Sequence, residues 1–209
     1  MAARGFYAQD ARQRAAAVVR DIERGTGAEV VVAVRPRAAE YHAGAYLVGA
    51  LAALAVLCAL VWLPIDFAYD SWPFEVGLAF VLGTALGLGL PPVRRLFTTR
   101  RRMRAEVRRS ALAAFFELGV GRTRERTGVL VFVALLEREV EVVADHGLDF
   151  EACGEAWERA QASLRASLRG GLDLERFLAA LGALGAPLAE AAPRRADDVN
   201  ELPDEMDVA

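Results

Sequence analysis

The sequence predicts an α/β protein: a small mixed sheet with helices on both faces, interrupted by a two-helix transmembrane hairpin. Three observations carry this. Three short runs rich in β-branched residues, Ala28–Val34, Val129–Leu136 and Glu139–Asp145, have the length and composition of strands. Amphipathic segments flank them, with apolar residues recurring at helical spacing. Between the first and second strands lie two uncharged apolar stretches, Tyr46–Ile65 and Val76–Leu90.

The elements follow in order. Gln9–Arg24 places Ala15, Val18, Val19 and Ile22 on one helical face, and Gly25-Thr26-Gly27 ends it. Ala28–Val34 is a nearly continuous apolar strand stopped by Pro36. A helix and one strand cannot bury themselves, so this piece needs partners from beyond the apolar stretches. Ala105–Leu118 is a helix with Ala111, Leu112, Phe115 and Phe116 as its apolar face, broken at Gly119-Val120-Gly121. Val129–Leu136 is wholly apolar, as a buried central strand is. Glu137 and Arg138 turn it into Glu139–Asp145, which alternates Val140, Val142 and Ala144 with acids. Helices over Phe150–Leu168 and Leu172–Ala192 close the domain. A strand, a helical crossover and another strand favour a right-handed parallel pair. The organisation is therefore residues 1–40 and 105–193 as two parts of one soluble domain. Residues 41–93 form the hairpin, 94–110 a basic juxtamembrane segment, and 194–209 an acidic tail.

The chain has 209 residues, of which 55% are hydrophobic and 25% charged, so apolar residues must be concentrated locally. Tyr46–Ile65 meets the roughly 20 apolar residues a bilayer core requires, and Val76–Leu90 does so with Trp72, Pro73 and Phe74 at its edge. Buried core helices of that length would normally show a polar stripe, which neither segment has. Arginines set the orientation. Arg35 and Arg37 precede the first span; Arg94, Arg95, Arg100, Arg101, Arg102, Arg104, Arg108 and Arg109 follow the second; the loop Asp66–Glu75 carries three acids and no base. The positive-inside rule then puts both termini in the cytoplasm of a plasma (bacterial inner) membrane. Trp62, Tyr69 and Trp72 cluster at the outer loop, where interfacial aromatics belong. The N-terminus has no apolar h-region, so no cleavable signal peptide is expected.

Three further features concern partners. Ala45, Gly49, Ala53 and Ala79, Gly83, Gly87 repeat at every fourth position, letting helix backbones approach. The hairpin packing on itself and homo-oligomer contact through Gly83 and Gly87 are both open. Arg94, Arg95, Arg100, Arg101, Arg102 and Arg104 form a lipid-surface segment, worth about 1 kcal/mol per arginine close to anionic lipid. Their stop-transfer role already explains them, so nucleic acid is not a partner. The tail Asp197–Asp207 holds six acids and no base; alone it would be disordered, and Asn200–Asp204 is expected either to dock on the domain or to recruit a separate protein.

Thr26-Gly27-Ala28-Glu29 before the first strand, Gly128-Val129-Leu130 opening the second and Gly147-Leu148 after the third resemble the TPM domain family. Asn200-Glu201-Leu202-Pro203-Asp204 is similar to the ending of a bacterial membrane subgroup of that family. The resemblance implies a link to acid phosphatase activity, reported in a plant member, and to divalent-cation binding. Where family members carry Asp-Asn before the Gly-Val-Leu strand, this chain has Arg126-Thr127, which cannot ligate a cation.

The residues themselves offer little chemistry. Every basic side chain is arginine, which excludes a P-loop lysine, a Schiff base and a Ser-Lys dyad. Cys58 and Cys153 form no disulfide framework, and no metal-spaced Cys/His set or cofactor motif is present. The candidate catalytic residues are Glu29, Asp145, His146 and Asp149. Carboxylates beside an imidazole at a strand end can serve acid–base work or bind a cation, and can equally be a turn. Glu29, opening a buried strand, is expected to pair with an arginine such as Arg126 or Arg138. The expected function is a non-catalytic, membrane-anchored interaction or assembly module with an unidentified protein partner. The alternative is a cation-dependent hydrolase of the acid-phosphatase kind.

Overall fold

The structure is a computed structural model, and it describes residues 2–63, 68–89, 99–195 and 200–208. Two compact units emerge: Met1–Ala38 with Arg104–Ala209, and Ala39–Met103.

The first unit is a mixed α/β sheet domain. After α1 (Ala2–Tyr7) comes α2 (Gln9–Gly25), whose Ala11, Ala15, Val19 and Ile22 are buried at the spacing of one helical face. Strand β1 (Glu29–Arg35) follows. After the apolar helices, α5 (Arg100–Glu117) is capped at its start by the Thr99 hydroxyl, which accepts from Arg102 N–H at 3.4 Å. It is ended by Gly119 at φ +68°, the left-handed residue that closes a helix. A 3₁₀ turn (Val120–Arg122) leads to β2 (Gly128–Ala134) and β3 (Glu139–Ala144). β1 and β2 are parallel, Glu29 opposite Gly128; β2 and β3 are antiparallel, Val129 opposite Ala144. The crossover expected from the element order is thus present, with two long apolar helices inside it.

Strand alternation sends side chains to two separate cores. Val30, Val32, Val34, Val129, Val131, Val133, Val140 and Val142 pack against one helical layer: α2, α6 (Phe150–Ser167), α7 (Leu174–Gly182) and α8 (Gly185–Ala191). Val31, Ala33, Leu130, Phe132 and Ala134 pack against Val107, Ala111, Ala114 and Phe115 of α5 and against Val120. With both faces covered, β1 and β2 are apolar at every inward position except Glu29, which is why they read as unbroken runs rather than alternating ones.

Two readings are corrected. The last helix, expected unbroken over Leu172–Ala192, is α7 plus α8, with Leu184 between them and Pro187 in the first turn of α8. Proline has no N–H to give to the preceding turn, so the helix restarts at that point. The C-terminal segment holds a fourth strand, β4 (Asp207–Val208), parallel to β1 at the sheet edge, giving the order β3-β2-β1-β4. Met206 beside it is in the core.

The second unit is a helical hairpin, α3 (His42–Trp62) and α4 (Trp72–Gly89), with a 3₁₀ turn (Tyr69–Ser71) leading into α4. A Cβ on Gly83 would lie 2.8 Å from Ala52 Cβ, and one on Gly87 would lie 2.8 Å from Ala45 Cα. The small residues at period four are therefore the contact between the two helices. The segments His42–Trp62 and Tyr69–Gly89 are long and apolar enough to cross a membrane. Leu47, Leu51, Leu54, Val61, Leu78, Val81, Leu82 and Leu86 point away from the hairpin contact and are exposed.

Candidate functional site

Sheet register brings two of the four candidate catalytic residues onto one row. Glu29 lies opposite Gly128, and Asp145 N–H donates to the Gly128 carbonyl at 2.9 Å. By strand alternation both carboxylates belong to the α5 side of the sheet, two strands apart, or about 10 Å at ordinary strand spacing. The space between them is filled. A Cβ on Gly128 would sit 2.0 Å from the Val120 carbonyl oxygen, so the 3₁₀ turn rests directly on the row.

Each carboxylate is engaged on its own side of that turn. Glu29 is buried, and its Oε2 accepts from Leu202 N–H at 3.2 Å. Asp145 Oδ1 accepts from His146 N–H at 2.8 Å and lies 2.7 Å from His146 Nδ1. Arg126, expected beside Glu29, adopts φ 58° and places its guanidinium 3.7 Å from Asp145 Oδ2 and 2.7 Å from the Gly121 carbonyl. His146 is exposed, and Asp149 is an exposed residue whose N–H donates to the Ala191 carbonyl. Asp145–His146 is an adjacent pair in a turn. Among the described residues, no three His, Cys, Asp or Glu side chains gather to hold a metal ion.

Gly147 explains the other glycine of the sequence pattern. Its missing side chain admits the Glu125 carbonyl, which would be 2.1 Å from a Cβ. Gly128 and Gly147 are both points of close backbone approach, Gly128 to Val120 of the 3₁₀ turn and Gly147 to Glu125 and Arg126 of the loop that follows it.

Sequence reasoning missed a second cluster, on the far side of Glu29. A cavity of about 260 Å³ is lined by Arg20, Glu23, Arg24, Glu29, Arg194, Asn200 and Asp204. Glu23 Oε1 accepts from Val30 N–H at 3.0 Å. Burial first, then Glu29 and a hydrogen bond shared with Asp204, push the Glu23 carboxyl up to about 8, against the stabilising Val30 amide. With its carboxyl raised to about 8, Glu23 keeps a proton at neutral pH that it can share with Asp204. Asn200 Nδ2 donates to Asp204 Oδ1 at 2.6 Å, and Arg20 lies 3.8 Å from Asp204. Arg124 N–H donates to Glu201, and Arg35 pairs with Asp207 at 2.5 Å. The acidic C-terminal stretch is thereby bound to α2, β1 and the Thr123–Thr127 loop. The only sequence signal was the acidic stretch itself; its landing place on an acid, Glu23, needed a shared proton that no spacing reveals.

This cluster has a pH signature. Below about 4.5 Glu23 is protonated folded and unfolded; between about 4.5 and about 8 only the unfolded chain has lost the proton, so stability falls across that window. Glu23→Gln keeps a neutral hydrogen-bonding group. The variant should unfold at higher temperature than the parent at pH 8, with the gap closing towards pH 5. Melting curves across that range check this; a gap independent of pH would remove the assignment.

The lipid-surface arginines divide. Arg94 and Arg95 lie outside the described residues. Arg100, Arg101 and Arg102 are exposed on the first turn of α5, and Arg104 Nε lies 3.3 Å from Glu139 Oε1.

The sequence matches no protein-family model and no curated protein. Among solved structures, its fold is similar to the NMR structure of the BA42 protein from the psychrophilic bacterium Bizionia argentinensis. The TM-score is 0.57 at 16% identity, over 97% of this chain and 94% of that one. At that identity the likeness is one of fold. The chain is therefore a mixed α/β protein with a fold similar to that of BA42, carrying two membrane-length helices between its first two strands.

Proposed function

We propose that this chain is a membrane-anchored TPM-like module of the bacterial inner membrane that works by holding a protein partner, not by catalysis. The observation that carries this reading is the Val120 carbonyl seated on Gly128, between Glu29 and Asp145. Two carboxylates that would have to address one substrate atom are divided by backbone. Arg126 beside Asp145 neutralises the site a divalent cation would need. On phosphomonoesters, with or without calcium or magnesium, the purified protein should show no turnover that Asp145→Asn abolishes. Asp145-dependent turnover with the fold intact would overturn the reading.

Anchoring is supported by the outward Leu and Val side chains of α3 and α4, an apolar surface that water would penalise heavily. The insertion point supports a common side for both halves of the sheet domain, because β1 and β2 pair along their whole length. Together with the arginine asymmetry, this favours a cytoplasmic domain. A reporter active only outside the cytoplasm should work when fused at Asp70 and fail after Ala209; the reverse pattern would invert the topology. The use of Gly83 and Gly87 within the hairpin supports a self-contained hairpin over homo-oligomer contact through the same glycines.

A further inference from the structure

Strand β3 is the open edge of the sheet opposite β4. Along it runs a groove of about 290 Å³ whose polar lining is Arg104, Arg108, Glu139, Glu141, Arg165 and Arg169. The four arginines come from both helical layers: Arg104 and Arg108 from α5, and Arg165 from α6, with Arg169 just past its end. Glu139 and Glu141 lie opposite Ala134 and Phe132 and so share the α5 face. Arg165 reaches Glu141 from the other layer around the free edge.

The two carboxylates are nearly covered, at 12% and 14% side-chain exposure, and they hold the guanidiniums in place. Arg108 Nη1 lies 2.8 Å from Glu141 Oε1, Arg165 Nη2 lies 3.5 Å from Glu141 Oε2, and Arg104 Nε lies 3.3 Å from Glu139 Oε1. Each guanidinium has five N–H donors, so these contacts leave most of them unused. Arg169 has no carboxylate within salt-bridge distance among the described residues. Blunting an edge strand takes only a charged side chain or two. Here four cations surround two anions, leaving the groove with a local charge of two positives.

We propose that this groove binds a dianionic phosphate group. A phosphomonoester at neutral pH carries close to two negative charges and accepts through three oxygens, which planar guanidiniums match in pairs. Glu139 and Glu141 are positioning residues: they orient Arg104, Arg108 and Arg165 and prevent their mutual repulsion from opening the groove. Arg169 supplies the cation not already committed to a carboxylate. The group can arrive on a lipid, as in phosphatidic acid, or as free phosphate. The proposal does not depend on whether the domain catalyses anything.

The full chain in phosphatidylcholine nanodiscs, titrated with inorganic phosphate in a calorimeter, tests it. The same titration in nanodiscs doped with phosphatidic acid separates the two sources. Arg169→Gln, which breaks no ion pair, and the double variant Arg165→Gln/Arg169→Gln should each weaken phosphate binding about tenfold or more. Arg195→Gln, at a surface pair with Glu125, should leave it unchanged. Loss of phosphate binding by the parent in the doped discs, where the phosphatidic acid headgroup competes for the same groove, identifies the lipid headgroup; undiminished binding identifies free phosphate. The proposal is overturned if phosphate does not bind in undoped discs, or if both variants bind it as tightly as the parent.

Discussion

Replacing Gly128 with valine should be among the most damaging single changes in the sheet domain. A Cβ there would meet the Val120 carbonyl oxygen at 2.0 Å and its carbon at 2.9 Å. Those atoms are backbone of a turn that is itself packed: Val120 is fully buried in the α5-side core, and Gly119 behind it is held at φ +68°. Relief requires moving the turn, or breaking the row in which Gly128 joins Glu29 to Asp145. Overpacking that a side chain cannot absorb costs about 3 kcal/mol or more. For a domain of this size, that lowers the melting temperature by roughly 6–12 °C. Gly25→Ala is the control, since a Cβ at Gly25 meets nothing within 4 Å. Melting curves of the two variants check the assignment; equal melting temperatures would show that the turn does not rest on β2.

Gly83→Leu should be the corresponding lesion in the hairpin. The glycine faces Ala52 Cβ at 2.8 Å, Gly49 Cα at 3.0 Å and the Val48 carbonyl at 3.1 Å, measured from where its Cβ would be. In a bilayer the helices gain nothing from hiding apolar surface, so their association rests on this close packing. A leucine must push α3 and α4 apart along the contact and forfeit dispersion contacts on both sides. The full chain in detergent should then aggregate at a markedly lower temperature than the parent. Gly77→Leu, where a Cβ meets nothing within 4 Å, should match the parent. If the two variants behave alike, the small-residue face is not the hairpin contact.

The two glycines differ in how far the sequence announces them. Gly83 stands in a period-four array of small residues within an apolar run, and that spacing is a local fact with one physical meaning, a helix face built for close approach. Gly128 is a single glycine at a strand start, and nothing local says that a carbonyl eight residues earlier will sit on it. The same contrast runs through the candidate site. Val129–Leu136 reads as a buried strand because inward positions on both faces are apolar once helices cover both sides. Glu29, Asp145 and His146 are visible as unusual residue types at strand ends. Whether they converge is a question of register and of what lies between strands.

The sequence by itself determined the element types, the parallel crossover and the place of the apolar hairpin within it. These depend on hydrophobic periodicity and chain order, and both are local or nearly so. Tertiary structure alone decided the rest. β4 is two residues of an acidic stretch with no strand periodicity; it becomes a strand because β1 presents an unpaired edge and Arg35 meets Asp207. Glu23 holds its proton because burial strips it of water and because Glu29 and Asp204 approach it, the latter from 181 residues further along the chain. The arginines of the β3 groove come from positions 104, 108, 165 and 169, dispersed in sequence and gathered only where two helical layers meet an open sheet edge. Charge acts through space and periodicity along the chain, which is why the scaffold was legible and the charged clusters were not.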